Sequence, residues 1–229
     1  MGSSTKIEDG VWYPYTQMKD WSKICDKKII ESGQNFYFQD KNGNKYLDGI
    51  ANMWCNVWGF GQNEVTQAMI NQIKKIPHST LFGIGNTKAI ELSEKMLKIT
   101  KGMNKVFFSD NGSSAIEVSL KIAVQFWNNK GSSKRSMFLS LKDGYHGDTF
   151  GSMAVGYVDN YFHKYKDLLM KCRTIPKPNF DYNDYNIQEK MNEQLEKTEK
   201  IIEKNSEKTF ALIMESGAQI AGGVLIYPE

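Results

Sequence analysis

Three short segments carry residue types that can do chemistry together. The first is Asp110-Asn111-Gly112-Ser113-Ser114, set between an apolar run and an amphipathic one. A helix that starts there leaves its first backbone N–H groups unpaired and carries a partial positive charge, which suits a phosphate. Gly112 lets a ligand come close to the backbone, and Ser113 and Ser114 add hydroxyl donors. The same residues also make a plain helix cap, through Asn111 or Ser113. The second segment is Tyr145-His146-Gly147-Asp148. Tyr145 can lay its ring on a planar ligand while His146 and Asp148 orient it; the ordinary alternative is a loop aromatic packed on the core. The third runs from Glu215 to Gly223, rich in small residues, where Gln219 offers a donor and an acceptor. Its ordinary reading is a glycine-rich surface turn.

The elements that must position these segments alternate between strand and helix. Lys105 to Ser109 (KVFFS) reads as a short apolar strand. A helix then carries Ile116, Leu120, Ala123, Val124 and Trp127, closed by Gly131, and Met137 to Leu141 reads as the next strand. The pattern predicts a βαβ unit with parallel strands and a right-handed crossover. All three segments then lie at the carboxyl ends of strands, where parallel sheets collect ligands. A long loop is expected over 142–156, then a helix through Ile187, Met191, Leu195 and Ile202, and a buried strand from Phe210 to Met214.

Upstream, Asp40-Lys41-Asn42-Gly43-Asn44 is a turn signature between Asn35 to Gln39 and Lys45 to Leu47, which predicts a β-hairpin. Asn63 is placed to cap a helix carrying Val65, Ala68, Met69, Ile73 and Ile76, and Pro77 ends it. A second amphipathic helix is expected from about Thr87, with Ala89, Leu92, Met96 and Ile99 on one face and Gly102 as its stop. Trp12, Tyr13, Tyr15, Trp54 and Trp58 make the N-terminal region aromatic, as packing anchors or as the wall of an apolar substrate pocket. The domain organisation expected is an N-terminal segment over 1–60 and the first part of a larger domain over 61–229.

Composition bounds the rest. The 229 residues are 40% hydrophobic and 24% charged, which fits a globular protein with its own core. Twenty-nine basic against 26 acidic residues leaves +3, too balanced for electrostatic binding of nucleic acid. Arg135 and Arg173 are the only arginines, so bidentate carboxylate recognition is poorly supplied. Cys25, Cys55 and Cys172 are scattered and read as buried free thiols; His78, His146 and His163 are equally dispersed, so no metal site is expected. No apolar run approaches the roughly 18 residues of a membrane span. With no basic-then-apolar leader pattern, a cytoplasmic protein without membrane or nucleic-acid partners is expected. The pattern GxxxxGK[ST] is absent, and Gly59-Phe60-Gly61 and Gly83-Ile84-Gly85 lack the third glycine of a dinucleotide fingerprint.

The run Phe107 to Val118 (FFSDNGSSAIEV), followed by Lys121, resembles the phosphate-cup segment of class III pyridoxal-phosphate aminotransferases. YHGDTFGSMAVG at 145–156 resembles the segment that stacks on the cofactor ring in that family. VWYPYTQM at 11–18 and DGIANMW at 48–54 resemble the branch that aminates 8-amino-7-oxononanoate in biotin synthesis, with S-adenosylmethionine as donor. The resemblance covers about Val11 to Pro228 and implies a fold-type I α/β protein, cut to an N-terminal segment plus an incomplete large domain with a mostly parallel sheet.

The resemblance implies roles residue by residue. The backbone of Gly112 and Ser113 would hold the phosphate of pyridoxal 5′-phosphate, Tyr145 would cover its ring, and Gln219 would stand beside it. Tyr15, Trp54, Tyr145 and Asp148 would line the substrate pocket. Met53 departs from the first Trp of a Trp-Trp pair, and Ser216 from a Pro after Glu215. The family's Schiff-base lysine, the aspartate on the pyridinium nitrogen and the arginine that grips the substrate carboxylate match no position here. The implied enzyme is a homodimer, with 80–86 (TLFGIGN) reaching the neighbouring site. A class III transaminase with another amino donor, and a non-catalytic cofactor-binding or interaction module, are the rival readings.

Overall fold

The computed structural model describes residues 10–24, 27–178, 180, 183 and 185–227, and the chain forms two units, Met1–Lys95 and Met96–Glu229. In the first, α1 (Met18–Trp21) is a single turn, followed by β1 (Ile30–Gln34), β2 (Tyr37–Asp40) and β3 (Lys45–Leu47). The predicted hairpin forms with Phe38 opposite Tyr46, and β1 adds an antiparallel third strand beside β2. Asp40 organises the turn. Its carboxylate, 1% exposed, accepts the backbone N–H groups of Asn42 and Asn44 at 2.9 Å, Asn44 Nδ2 at 3.0 Å and the Tyr46 hydroxyl at 2.9 Å. Burial alone would raise its pKa, but these donors outweigh it and hold the carboxyl below its ordinary range.

A one-turn segment, α2 (Ala51–Trp54), leads to α3 (Asn63–Lys75) and α4 (Thr87–Ile99). Both long helices stand where their periodicity places them. The cap differs: Asn63 is the first helical residue and Gln62 holds the cap position, with no side-chain bond. Val65, Met69 and Ile73 on α3 are more than half exposed.

In the second unit α5 (Gly112–Asn129) precedes β4 (Met137–Leu141), α6 (Phe150–Val155), α7 (Asp159–Phe162), β5 (Cys172–Ile175), α8 (Ile187–Asn205) and β6 (Thr209–Ile213). The last two strands, β7 (Ala218–Gln219) and β8 (Leu225–Ile226), pair antiparallel. The main sheet has the order β5-β4-β6 with all strands parallel, as the α/β pattern implies. β4 is central, and Phe138, Leu139, Ser140 and Leu141 are buried, as expected of an apolar strand covered on both faces. Leu120 of α5 packs with Phe138 and Val155, supported by Ile116, Ala123, Val124 and Phe210.

Three further expectations fail. Among the described residues nothing pairs with 105–109, and Phe107 is 68% exposed. An apolar run becomes a strand only where its N–H and C=O groups find a ladder partner, so the βαβ unit does not close there. The parallel neighbours of β4 are later strands. The loop over 142–156 also contains α6, whose Ser152, Met153, Ala154 and Val155 are all buried. Of the thiols, Cys55 is exposed rather than buried and Cys172 is half-buried, 3.3 Å from Ser140 Oγ; Cys25 lies outside the described residues. The parallel β5-β4-β6 sheet with its helices is the α/β arrangement expected.

One tie secures the sheet against α5 and α8. Arg135 donates to the carbonyls of Ser206, at 2.7 Å, and Thr209, while its guanidinium lies 3.3 Å from the centre of the Trp127 ring. Trp127 Nε1 in turn donates to Phe210 O at 2.8 Å. Lysine cannot bridge two carbonyls and stack in the same pose. Arg135→Lys is expected to lower the stability of the complete protein by about 1–3 kcal/mol, read from its urea midpoint; a midpoint within error of wild type contradicts this.

Candidate functional site

The head of α5 shows which residue caps and which amides remain. Asn111 is extended (φ −159°, ψ 174°), and its Oδ1 accepts the Ser114 N–H at 2.9 Å while its carbonyl accepts Ala115 N–H at 3.0 Å. The cap is therefore Asn111, not Ser113. The amides of Gly112 and Ser113 have no acceptor among the described residues, and no atom lies within 4 Å of where a Gly112 Cβ would stand. Two unpaired N–H groups at the positive end of an 18-residue helix form a ready anion seat.

Hydrogen bonds fasten this head to the segment after β4. The Asp148 N–H donates to Ser113 Oγ at 3.1 Å, and Ser152 Oγ donates to the Ser113 carbonyl at 3.1 Å. One turn along α5, Glu117 Oε1 accepts the Thr149 hydroxyl at 2.5 Å and the Gly151 N–H at 2.8 Å. The glycines of the segment are the points of contact. A Cβ at Gly147, whose φ is +128°, would stand 2.1 Å from Ser113 Oγ; one at Gly151 would stand 2.3 Å from Glu117 Oε2. At Gly156 it would meet the His146 nitrogen at 2.5 Å.

Tyr145 is thus held beside the seat. Its ring lies nearly parallel to Phe162 (16°, centroids 6.2 Å apart), and its hydroxyl donates to Asp148 Oδ1 at 3.1 Å. Its N–H donates to Glu215 Oε1 at 2.9 Å, and Glu215 Oε2 accepts the Ile220 N–H at 3.2 Å, joining the segments after β4 and β6. Gln219 is fully buried. Its Nε2 donates to Lys142 O at 2.9 Å, whereas its Oε1 and His146 Nε2 are buried polar atoms without a protein partner. Burial lowers the His146 pKa below the ordinary histidine range, against the opposing pull of the Glu215 charge.

Of the residues singled out in the sequence, Gly112, Ser113, Tyr145, Asp148 and Gln219 share the second unit, and these bonds join its three segments. Tyr15 and Trp54 belong to the first unit, where they are 72% and 64% exposed. Both have positive φ, 50° and 71°. Trp54 ends a left-handed turn, with φ of 48°, 47° and 56° at Ala51, Asn52 and Met53. That conformation costs a non-glycine residue about 1–2 kcal/mol, less for Asn. The roles of three carboxylates were not read from the sequence: Glu117, Glu215 and Asp48. A Glu on a polar helix face looks solvated; the signal for Glu117 was its place one turn beyond the cup.

The chain matches the family model "Aminotransferase class-III" over residues 21–229. It is 38% identical to the adenosylmethionine-8-amino-7-oxononanoate aminotransferase of Methanocaldococcus jannaschii, over 96% of this chain and 50% of that protein. The Staphylococcus aureus enzyme of the same name is also 38% identical, over 98% of this chain and 50% of its own length. The crystal structure of the M. jannaschii enzyme superposes with a TM-score of 0.87, covering 96% of this chain and 48% of that one. An amine transaminase from an uncultivated Pseudomonas species, 29% identical, gives 0.81, with 96% and 51% covered. The chain spans about half the length of the curated relatives it matches. Among the described residues no group of His, Cys, Asp and Glu is placed to hold a metal, and no helix is long and apolar enough to cross a membrane.

Class III aminotransferases depend on pyridoxal 5′-phosphate. The site fits that group: two unpaired amides suit its phosphate, a held aromatic suits its ring, and an orphaned buried carbonyl, Gln219 Oε1, suits a polar edge. Gly147→Ala drives a methyl group into Ser113 and strains φ. It is expected to weaken cofactor binding to the complete protein by about tenfold or more, read by absorbance titration; unchanged affinity contradicts the coupling. The His146 shift sets a pH response. Its folded pKa is lowered, so the unfolded chain binds the proton first in acid, and stability present above the ordinary histidine pKa is lost as pH falls through the lowered value. Melting temperature should fall between about pH 7 and 5, and His146→Gln should flatten that slope; an unchanged slope contradicts it.

Proposed function

The chain belongs to the class III aminotransferases, and from that premise we propose that the complete protein aminates 8-amino-7-oxononanoate to 7,8-diaminononanoate in biotin synthesis, with S-adenosylmethionine as donor. Supporting this reading, five relatives at 36–38% identity are named adenosylmethionine-8-amino-7-oxononanoate aminotransferase. The observation that carries it is the pair of unpaired amides at Gly112 and Ser113, fastened by Ser113 to the loop that bears Tyr145.

When bound, pyridoxal 5′-phosphate supplies the electron sink and the carbon that carries the amino group between substrates. The chain's own residues bind and orient. The Gly112 and Ser113 amides take the phosphate at the positive end of α5. The Ser113 hydroxyl, already accepting the Asp148 N–H, still has its own proton to donate. Tyr145, backed by Phe162, would cover the ring and keep water from that face. Gln219 would offer the cofactor the oxygen that no protein group satisfies. Tyr15 and Trp54 are assigned to the apolar chain of the substrate, and Asp148 fixes the Tyr145 hydroxyl.

Transamination also needs an amine nucleophile that serves as the base for the proton shift, and a partner for the ring nitrogen. No lysine of this chain matches the family's position, and the complete enzyme is proposed to work as a homodimer in the cytoplasm. Residues 80–86, where Phe82 is 95% exposed, are the part that reaches the neighbouring site. A polypeptide of these 229 residues alone is expected to give no turnover. The complete protein with both substrates should yield diaminononanoate by mass spectrometry. Turnover of the ketone with lysine or another amine, and none with S-adenosylmethionine, would contradict the donor.

A further inference from the structure

Four successive non-glycine residues, Ala51 to Trp54, hold positive φ, and two of them, Asn52 (φ 47°, ψ 56°) and Met53 (φ 56°, ψ 51°), sit in the middle of the left-handed helical region. Left-handed residues normally occur singly. A run of them persists only where something over-determines it, and such strain clusters at functional sites. Packing of the strained side chains is not that something. Met53 is 67% exposed, Trp54 64% and the preceding Ile50 60%.

What holds the turn is a clasp. Asp48 Oδ1 accepts the Asn52 N–H at 2.9 Å, and Asp48 Oδ2 accepts Asn52 Nδ2 at 2.9 Å. One carboxylate therefore grips the backbone and the side chain of the same residue, and Asn is the type that best tolerates this conformation. The turn is closed on its other side by Trp54 N–H to Ile50 O at 3.0 Å and Asn56 N–H to Ala51 O at 2.8 Å. The clasp stands immediately before the two residues whose side chains it leaves projecting.

Resting on the substrate reading above, we infer that Asp48 and Asn52 are positioning residues for substrate specificity. Their clasp holds the left-handed turn that presents Met53 and Trp54 to the aliphatic chain of the ketone substrate. Neither residue touches substrate or cofactor. A hydrophobic wall set by a strained backbone discriminates by shape, so its loss weakens substrate binding more than it slows the chemical step.

The test uses the complete, cofactor-loaded protein. Asp48→Ala should raise KM for 8-amino-7-oxononanoate about tenfold, change kcat by less than about threefold, and leave cofactor affinity unchanged. Exchanging the two groups, Asp48→Asn with Asn52→Asp, keeps the backbone N–H of residue 52 donating to the residue-48 side-chain oxygen and reverses donor and acceptor in the side-chain bond alone, and should bring KM back to within about threefold of wild type. Asn52→Ala, which removes the side-chain bond alone, should give an intermediate KM and serves if Asp48→Ala does not fold. A wild-type KM in Asp48→Ala or Asn52→Ala, an exchange variant no better than Asp48→Ala, or cofactor release in step with KM would overturn the clasp. Amide hydrogen exchange at Asn52 gives a readout independent of turnover: it should rise at least about tenfold in Asp48→Ala. Unchanged exchange overturns the clasp even if the wild-type protein proves to act on a different ketone, an outcome that would count against the substrate reading alone.

Discussion

The seam between the first turn of α5 and the loop after β4 is the constraint on which the second unit's chemistry depends. Ser113 and Glu117 receive the loop's Asp148, Thr149 and Gly151, and Ser152 reaches back to the Ser113 carbonyl. None of these bonds alone is worth much in net stability, on the order of 1 kcal/mol each. Their value is geometric. They fix the distance between an anion seat made of backbone and an aromatic ring made of side chain. A phosphorylated planar cofactor must meet both at once, so a seam that does not stretch supplies the preorganisation that binding would otherwise have to create.

The interior around that seam is unusually polar for its burial. Gln219, Ser140 and Ser152 are all at most 2% exposed, and two buried atoms, Gln219 Oε1 and His146 Nε2, have no protein partner. Leaving a buried acceptor unsatisfied opposes folding, so its persistence calls for a group that arrives later. The carboxylate of Glu215 ties this polar pocket together by gripping Tyr145 and Ile220 from the end of β6.

Much of this was legible in the residues. α3, α4, α5, α8, β4 and β6 follow apolar periodicity, because their stability comes from one continuous face or run. What the pattern missed depends on partners distant in sequence. The segment 105–109 has the composition of a strand but no ladder beside it, and Phe107 is left exposed. β1 (IESGQ) and β5 (CRTI) have too little apolar signal, and exist because β2 and β4 offer them an edge. α6 was hidden by Gly151 and Ser152, whose smallness reads as loop; it serves close packing against Glu117 and Ser113. The candidate cofactor residues stood out in the sequence because backbone amides need a specific turn with specific small residues. Glu117 and Asp48 were not, since an acidic side chain gives no sign in sequence of what it will accept.

The central claim is that the α5 head and the 145–156 loop are built as one receptor for pyridoxal 5′-phosphate. A crystal structure of the complete protein with this cofactor tests it most directly. Phosphate oxygens within about 2.7–3.2 Å of the Gly112 and Ser113 nitrogens, with the pyridine ring lying against Tyr145, are the result expected. A phosphate bound away from both amides, or a ring that leaves Tyr145 uncovered, would contradict it.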